Sequence, residues 1–253
     1  MHVVAVANQK GGVGKSTLAV HLVWLSVERG HRTLLVDLDG QANSSRTFSM
    51  DCRGLTASSL FLDQLDPKAR PMRIDSHTAL IGADMDVNDI EGLPLACIER
   101  PAARLRGLHL PPDTVVVIDT PPNLGRRLLG ALIAADAVVS PLTPNGYAIQ
   151  GLTDLQQTIL TVQERFNPRL RNMGILANMV SPRAGSHGRM LQALRQAVGD
   201  RLLPTVIAQR VAIADAIDRR RPVWRATKGG SALLAGREMR AACAHILDAV
   251  ISR

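Results

Sequence analysis

Aromatic side chains are nearly missing from this chain, which has two tryptophans, one tyrosine and three phenylalanines in 253 residues. Holding single-stranded nucleic acid by base stacking needs a platform of such rings, so that mode is disfavoured. Cysteine is scarce too. Cys52, Cys97 and Cys243 are scattered, form no CxxC pair and offer no disulfide framework, so a reducing cytoplasm is the expected compartment. No apolar run approaches the roughly 18 residues that cross a bilayer. The opening MHVVAVANQK has no basic stretch followed by a long apolar one, so no signal peptide is expected. The seven histidines occur singly, without HExxH or other metal spacing, and read as surface or packing residues. There is no GxSxG, no internal repeat and no low-complexity linker.

What is present describes a globular protein. The hydrophobic fraction is 46% and the charged fraction 21%. The length suits one α/β domain over residues 1–253, large enough to bury a substantial core. The formal charge of +8 is unevenly spread. Residues 1–164 hold 14 Lys+Arg against 17 Asp+Glu, whereas residues 165–253 hold 16 against 5. Such asymmetry suits a polyanion partner such as DNA, RNA or an anionic membrane, and equally a solvated basic face. With so few rings, contact with phosphate backbones is the natural use of these arginines.

Short β-branched runs alternate with helical patterns. Strands are expected at His2–Ala7, Thr33–Leu38, Ala79–Ala83, Val115–Asp119, Ala137–Leu142, Gly174–Met179 and Pro204–Ile207. Most are continuously apolar, as in strands buried on both faces of a parallel sheet. Ser16–Arg29 reads as a helix with Leu18, Leu22 and Leu25 on one face and Gly30 as its C-cap, completing a βαβ unit. The polar loop around Asp63–Asp75, with Pro67 and Pro71, reads as a surface excursion. The expected fold is a mostly parallel, twisted sheet of about seven to eight strands with helices on both faces. With the first strand starting at residue 2, no separate N-terminal DNA-reading module is expected.

The segment Asn8-Gln9-Lys10-Gly11-Gly12-Val13-Gly14-Lys15-Ser16-Thr17 follows a strand and opens a helix, the setting of a phosphate-binding loop. Glycines let successive N–H groups converge on phosphate oxygens, and the helix end adds a positive dipole. Lys15 is placed to reach β- and γ-phosphates and Ser16 to coordinate Mg²⁺. The strict GxxxxGK[ST] pattern is broken once, by Gln9 at the first glycine position. A bare glycine turn with no ligand would not need Lys and Ser-Thr at these offsets. Lys10 is not needed to hold a nucleotide in place. It is either a surface lysine or, beside the phosphates, a second electrostatic element.

Two acidic positions accompany the loop. Val115–Asp119 carries Asp119 to a strand's C-terminal edge, where it can hold a magnesium shell or merely cap the next turn. Asp37 and Asp39 end another strand. One can support the metal and the other orient a water, or the Asp39-Gly40 pair is turn chemistry.

Taken together these motifs resemble the ParA/MinD ATPases of the SIMIBI class, whose deviant phosphate loop matches Lys10-Gly-Gly-Val-Gly-Lys15-Ser-Thr. The resemblance runs through Val36–Asp39 with Gln41, Ile118-Asp119-Thr-Pro-Pro-x-Leu-Gly125, Pro144–Leu152, Asn178 and Arg221-Pro-Val to the C-terminal helix. It implies an ATP- and Mg²⁺-dependent hydrolase whose Lys10 reaches a partner subunit's phosphates in a sandwich homodimer. It implies nucleotide contacts from Lys10 to Thr17 and from Asn178 to the adenine. It places Ser16, Asp37 and Asp119 at the metal and Lys10, Lys15 and Asp39 at the chemistry. The family usually has proline after the second acid, where this chain has Gly40, which implies a looser loop. No basic, bulky apolar tail follows Ser231–Arg253, whose Leu234, Met239, Ile246 and Val250 read as a docked face, so the MinD mode of membrane attachment is not expected. The small ParA/Soj partition proteins are the better likeness. They imply slow, partner-stimulated ATP hydrolysis, non-specific DNA binding and a ParB-like partner on the nucleoid.

Candidate DNA contacts are Arg219, Arg220, Arg221 and Arg225, joined by Arg183, Arg189 and Arg210. Other readings stay open: a positioning ATPase for a chemoreceptor, secretion or conjugation complex, a metabolic P-loop enzyme resembling dethiobiotin synthetase, and a non-hydrolysing scaffold.

Overall fold

The computed structural model describes residues 1–51, 53–144, 148–181, 185–225 and 229–252, with the side chains of 148–151 and 186 left aside. Eight strands form one sheet: β1 (His2–Val6), β2 (Thr33–Asp37), β3 (Met72–Arg73), β4 (Thr78–Ile81), β5 (Val115–Asp119), β6 (Ala137–Leu142), β7 (Arg171–Val180) and β8 (Leu202–Ala208). Their spatial order is β3-β4-β2-β5-β1-β6-β7-β8. Every neighbouring pair is parallel except β3 with β4.

The helices are α1 (Lys15–Glu28), α2 (Asn43–Phe48), α3 (Arg100–Gly107), α4 (Arg126–Ala134), α5 (Ala148–Arg165), α6 (Gly185–Val198), α7 (Val211–Asp218) and α8 (Gly230–Ile251). They cover both faces of the sheet. Side chains alternate along each strand, so neighbouring residues feed opposite cores. Val3, Ala5, Leu34, Val36, Val116 and Ile118 pack with α3, α4 and α5. Val4, Val6, Leu35, Val115 and Val117 pack with α1 and α8. These strands are buried on both sides, which is why their sequences run apolar without alternation.

The expected helix at Ser16–Arg29 forms one residue earlier, and Leu18, Leu22 and Leu25 are all buried. Two expectations need correction. The excursion at Asp63–Asp75 contains β3, which pairs Met72 with Leu80 and Arg73 with Ala79 at the sheet's edge. Leu234 is not on the docked face of α8 but 47% exposed, whereas Met239, Ile246 and Val250 are buried. Ala235 takes its place in the buried row at helical spacing, so only the first residue of the expected face is misplaced, by one position. Cys97 and Cys243 are free and buried, and Cys52 lies outside the described residues. No helix among the described residues is long and apolar enough to cross a membrane.

The topology gathers the motifs at one edge. Parallel register sets Val6 and Asp37 each opposite Asp119, so the phosphate loop and both acids leave the sheet together at its carboxyl end.

Candidate nucleotide site

The phosphate loop is folded by its glycines and tied by two asparagines. Gly12 and Gly14 adopt left-handed backbone, with φ of 70° and 87°. Gly14 is also sterically required, since a Cβ there would collide with the Asn178 side-chain amide. That amide donates to the Val13 carbonyl at 2.8 Å. Asn8, buried, donates from Nδ2 to the Pro141 carbonyl at 2.8 Å, and its Oδ1 accepts the Lys10 N–H at 2.9 Å. The loop is therefore anchored to the ends of both β6 and β7. Helix α1 starts at Lys15 with no acidic residue in its first turn, leaving its positive end available to an anion.

Lys15 is buried and donates from Nζ to the Lys10 carbonyl at 3.0 Å. Burial pulls its pKa below the ordinary lysine range, while the Asp119 and Asp39 carboxylates oppose that shift. This holds a positive charge inside the loop. Lys10 is half-buried on the loop, with its N–H held by Asn8 and its carbonyl by Lys15.

The two buried acids behave differently. Asp37 spends its oxygens on the chain that follows it. Oδ2 accepts the Ser45 N–H at 2.8 Å and the Ser45 hydroxyl at 2.7 Å, and Oδ1 accepts the Asp39 N–H at 3.1 Å. It is thus a strut for the Asp39 loop and the start of α2. Asp119 is wholly buried, and neither of its oxygens meets a hydrogen-bond donor in good geometry among the described residues. Burial, then repulsion from Asp37, raises its pKa, and the nearby Ser16 and Ser44 hydroxyls and Lys15 pull the other way. A buried, unpartnered carboxylate beside a hydroxyl is costly unless something positive completes it. Hard oxygen donors of this kind suit Mg²⁺, which takes one or two protein ligands and its remaining oxygens from phosphate and water. Among the described residues no group of three His, Cys, Asp or Glu could cage a metal without such help.

Asp39 is half-exposed in the cleft, and its Oδ1 accepts the Gln41 N–H at 3.0 Å. The cleft has a volume of about 680 Å³. It is lined by the phosphate loop with Ser16, Thr17, Asp39 and Asn178, and by Gln209, Arg210, Val211, Ile213 and Ile217 from the end of β8 into α7. The wall from β8 and α7 is absent from the motif reading, because a few apolar residues at a helix start carry no signature. Ser44 and Ser45 are also absent from it. Serines at the start of a short helix, eight residues past a strand-end acid, are the signal that points to them.

The candidate DNA residues separate. Arg219, Arg220 and Arg221 are exposed and make no ion pair among the described residues. Arg220 holds left-handed backbone at φ 50°, uncommon for a non-glycine residue. Arg189 is exposed on α6, and Arg183 lies outside the described residues. Arg210 is instead bound to Glu238, with Nη2 at 2.8 Å from Oε1, and Glu238 also accepts the Ala208 N–H at 3.0 Å. Arg225 is exposed but donates to Glu28 on α1 at 2.8 Å. The segment Pro144–Leu152 falls partly outside the described residues.

Residues 1–172 match a family described as an AAA domain. The Escherichia coli protein IncC is 34% identical over 251 residues, covering 97% of this chain and 69% of that protein. The Caulobacter vibrioides chromosome partitioning protein ParA is 34% identical, covering 88% and 86% respectively. Among solved structures, cobyrinic acid a,c-diamide synthase from Mycobacterium smegmatis, with bound ATP analogue and magnesium, is 28% identical with a TM-score of 0.80, covering 98% and 95%. A putative plasmid partition protein from Borrelia burgdorferi bound to AMPPNP shares the fold at a TM-score of 0.77 and 20% identity, covering 97% and 99%. A phosphate loop, two strand-end acids and relatives of this similarity over nearly the whole chain lead to one assignment: the chain belongs to the ParA-type P-loop ATPases.

Proposed function

We propose that this protein is a DNA-partitioning ATPase in which bound nucleotide controls the grip on DNA. One observation carries the reading: α7 lies between the two sites. Its Val211, Ile213 and Ile217 line the nucleotide cleft, and the chain leaving its C-terminal end is Arg219-Arg220-Arg221. A second tie runs alongside. The buried His21, nearly two turns into α1, pairs through Nδ1 with the Thr17 carbonyl at 2.7 Å, and its Nε2 accepts the Val223 N–H at 3.3 Å. The basic tip is therefore flanked by a helix that lines the nucleotide cleft on one side and by backbone tied through His21 to the end of the phosphate loop on the other.

Bound Mg²⁺-ATP supplies the transferable phosphoryl group and the cation that neutralises its developing charge. Lys15 and the N–H groups of Gly11 to Thr17 bind the phosphates. Ser16 and Asp119 hold the cation, and Asp37 keeps the loop that carries Asp39 in place. Asp39 orients the attacking water, and Asn178, whose amide donates to the Val13 carbonyl, contacts the adenine. Lys10 reaches the phosphates of a second copy, so that two chains close only when both are loaded. Closure brings two arginine tips together, and paired weak phosphate contacts gain by avidity. Hydrolysis separates the copies and releases DNA, and a ParB-like centromere-binding protein accelerates that slow step at the nucleoid.

Co-sedimentation with DNA in ATP, ADP and no nucleotide tests this reading, with Lys15→Ala alongside. Binding is expected in ATP alone and lost in the variant. Equal binding under all conditions removes the switch.

A further inference from the structure

Asp39 is followed by Gly40. The backbone does not require glycine, because Gly40 is not among the residues with positive φ. The space that a Cβ would take is filled by a side chain. A Cβ at Gly40 would stand 2.6 Å from Asn88 Nδ2 and 2.8 Å from its Cγ, closer than real contacts allow. The same holds at Gly125, where the loop after Asp119 becomes α4. A Cβ there would be 2.5 Å from Glu91 Oε1. Both intruding side chains come from one segment, the 3₁₀ stretch Met85–Gly92.

Arg127 on α4 joins the two contacts. Its side chain is only 6% exposed. Nη1 donates to the Leu38 carbonyl at 3.1 Å and to Asn88 Oδ1 at 3.0 Å, and Nε donates to Glu91 Oε1 at 2.9 Å. Glu91 Oε2 accepts the Arg126 N–H at 2.7 Å, and the Glu91 carbonyl accepts from the Arg126 guanidinium. Burial alone would raise the Glu91 pKa, but Arg127 and the Arg126 amide outweigh it and hold the carboxyl ionised. One charge-assisted network, centred on the buried Arg127, thus binds the carbonyl of the residue before Asp39, lies against the residue after it and holds the first turn of α4.

We propose that Arg127, held by Asn88 and Glu91, is a positioning residue for hydrolysis that fixes the Asp39 loop to the loop following Asp119. The inference rests on the reading that Asp39 orients the water. It replaces the looseness that Gly40 implies with a side-chain clamp: the missing ring or Cβ makes room for Asn88, and Asn88 locks the loop through Arg127. The guanidinium meets three acceptors from two separated nitrogens held in one plane, a geometry that the single ammonium of a lysine does not reproduce.

The test is a double-mutant cycle on Asn88→Ala and Gly40→Ala. Asn88 is exposed, so its truncation leaves the core untouched. Each change breaks the same link, one by removing the amide and the other by pushing it off Arg127. Each is expected to lower kcat about tenfold, the scale of a misplaced catalytic group, with KM for ATP and the melting temperature close to the parent. The double variant is expected to be no slower than either single one. Arg127→Gln is expected to match them and Arg127→Lys to recover little. Additive losses, a kcat for Asn88→Ala within twofold of the parent, or rates that merely track melting temperature overturn the proposal. Asp39→Ala is measured in parallel. If it hydrolyses ATP at the parent rate, the reading of Asp39 falls and the clamp with it. If it is inactive while Asn88→Ala is unaffected, only the clamp falls.

Discussion

The nucleotide end and the basic tip of this molecule are built on opposite plans. Around the phosphate loop, polar side chains are buried and held from two directions: Asn8 reaches β6, Asn178 reaches back to Val13, and Asp37 binds two residues of the following loop. Asp119 stands out there because no donor among the described residues completes it. At the tip the position is reversed. Arg219 to Arg221 are exposed and unpaired among the described residues, while Arg210 and Arg225, near them in sequence, are engaged by Glu238 and Glu28. Pre-organised donors in a cleft suit a small, highly charged ligand of fixed shape. Exposed, unpaired cations on a surface suit a long polyanion met in any register. Two plans in one chain, joined by α7, are what a nucleotide-controlled polyanion grip needs.

The largest expected effect breaks the first plan. Lys15→Ala removes the ammonium that burial has already desolvated. It is expected to lower kcat/KM for ATP by at least about a hundredfold, the scale of losing one preorganised charge contact. Phosphate release and equilibrium nucleotide binding measure it. Near-parent hydrolysis would mean that the dipole and backbone N–H groups bind the phosphates without it.

Next comes the tip. Replacing Arg219, Arg220 and Arg221 together by Ala is expected to weaken DNA binding in ATP by about tenfold or more at low salt. The slope of log affinity against log salt is expected to fall by about one per lost phosphate contact. ATP hydrolysis without DNA is expected to stay at the parent rate. Arg210→Ala is the counterpart across the divide. Its guanidinium serves Glu238, so stability is expected to fall while the salt slope holds. If Arg210→Ala flattened the slope and the triple variant did not, the two populations of arginine would have to be exchanged.

How the sequence reveals these two regions differs for a physical reason. The phosphate loop, the acids and the strands are local patterns: glycines at fixed offsets, apolar runs ending in Asp, helical spacing of Leu18, Leu22 and Leu25. Such patterns survive without knowledge of the fold. The partners of Arg210 and Arg225 lie 28 and 197 residues away along the chain, and Arg127 meets Asn88 across 39 residues. Nothing local distinguishes an arginine that will find a carboxylate from one that will not. Likewise β3 is two residues long and has no period to show. The Leu234 error is of a third kind: on a helix rich in Ala and Leu, hydrophobicity alone does not fix rotation to one residue.

Between the two regions sits His21, which sharpens the comparison through pH. Burial, opposed by the Thr17 carbonyl, lowers its pKa from 6.5 to about 4. The folded form thus holds a neutral imidazole, its Nδ1–H donating to Thr17 and its Nε2 accepting from Val223. Unfolded, the same histidine takes up a proton near pH 6.5. Between about pH 4 and 6.5 the unfolded chain binds the extra proton, so stability rises with pH across that window and is lost as pH falls through it. The loss between pH 7 and 5 is expected to be roughly 2 kcal/mol from this one group, since each tenfold difference in proton affinity is worth about 1.4 kcal/mol. Urea unfolding from pH 4.5 to 7 measures it, with His21→Gln as the control whose profile should be flatter. Identical profiles would show that His21 is not the tie between α1 and the tip.

The smallest expected effect decides the allegiance of Arg225. Glu28, mostly buried, accepts from Trp224 Nε1 at 3.0 Å, from Arg225 at 2.8 Å and from Arg240 at 3.1 Å, and Arg240 also lies 5.6 Å from the Trp224 ring centroid. Arg225 is 64% exposed at its side chain. A pair this open is screened, and Glu28 keeps two other donors when it is lost. Arg225→Ala is therefore expected to cost less than about 1 kcal/mol of stability. Because its guanidinium already has a carboxylate, the salt slope of DNA binding is expected to hold. Two cheap measurements on one variant, a melting curve and a salt titration, give the answer. A flattened slope with unchanged melting would move Arg225 into the tip, where duplex phosphate outcompetes Glu28, and DNA binding would then loosen the very bond that fastens this segment to α1.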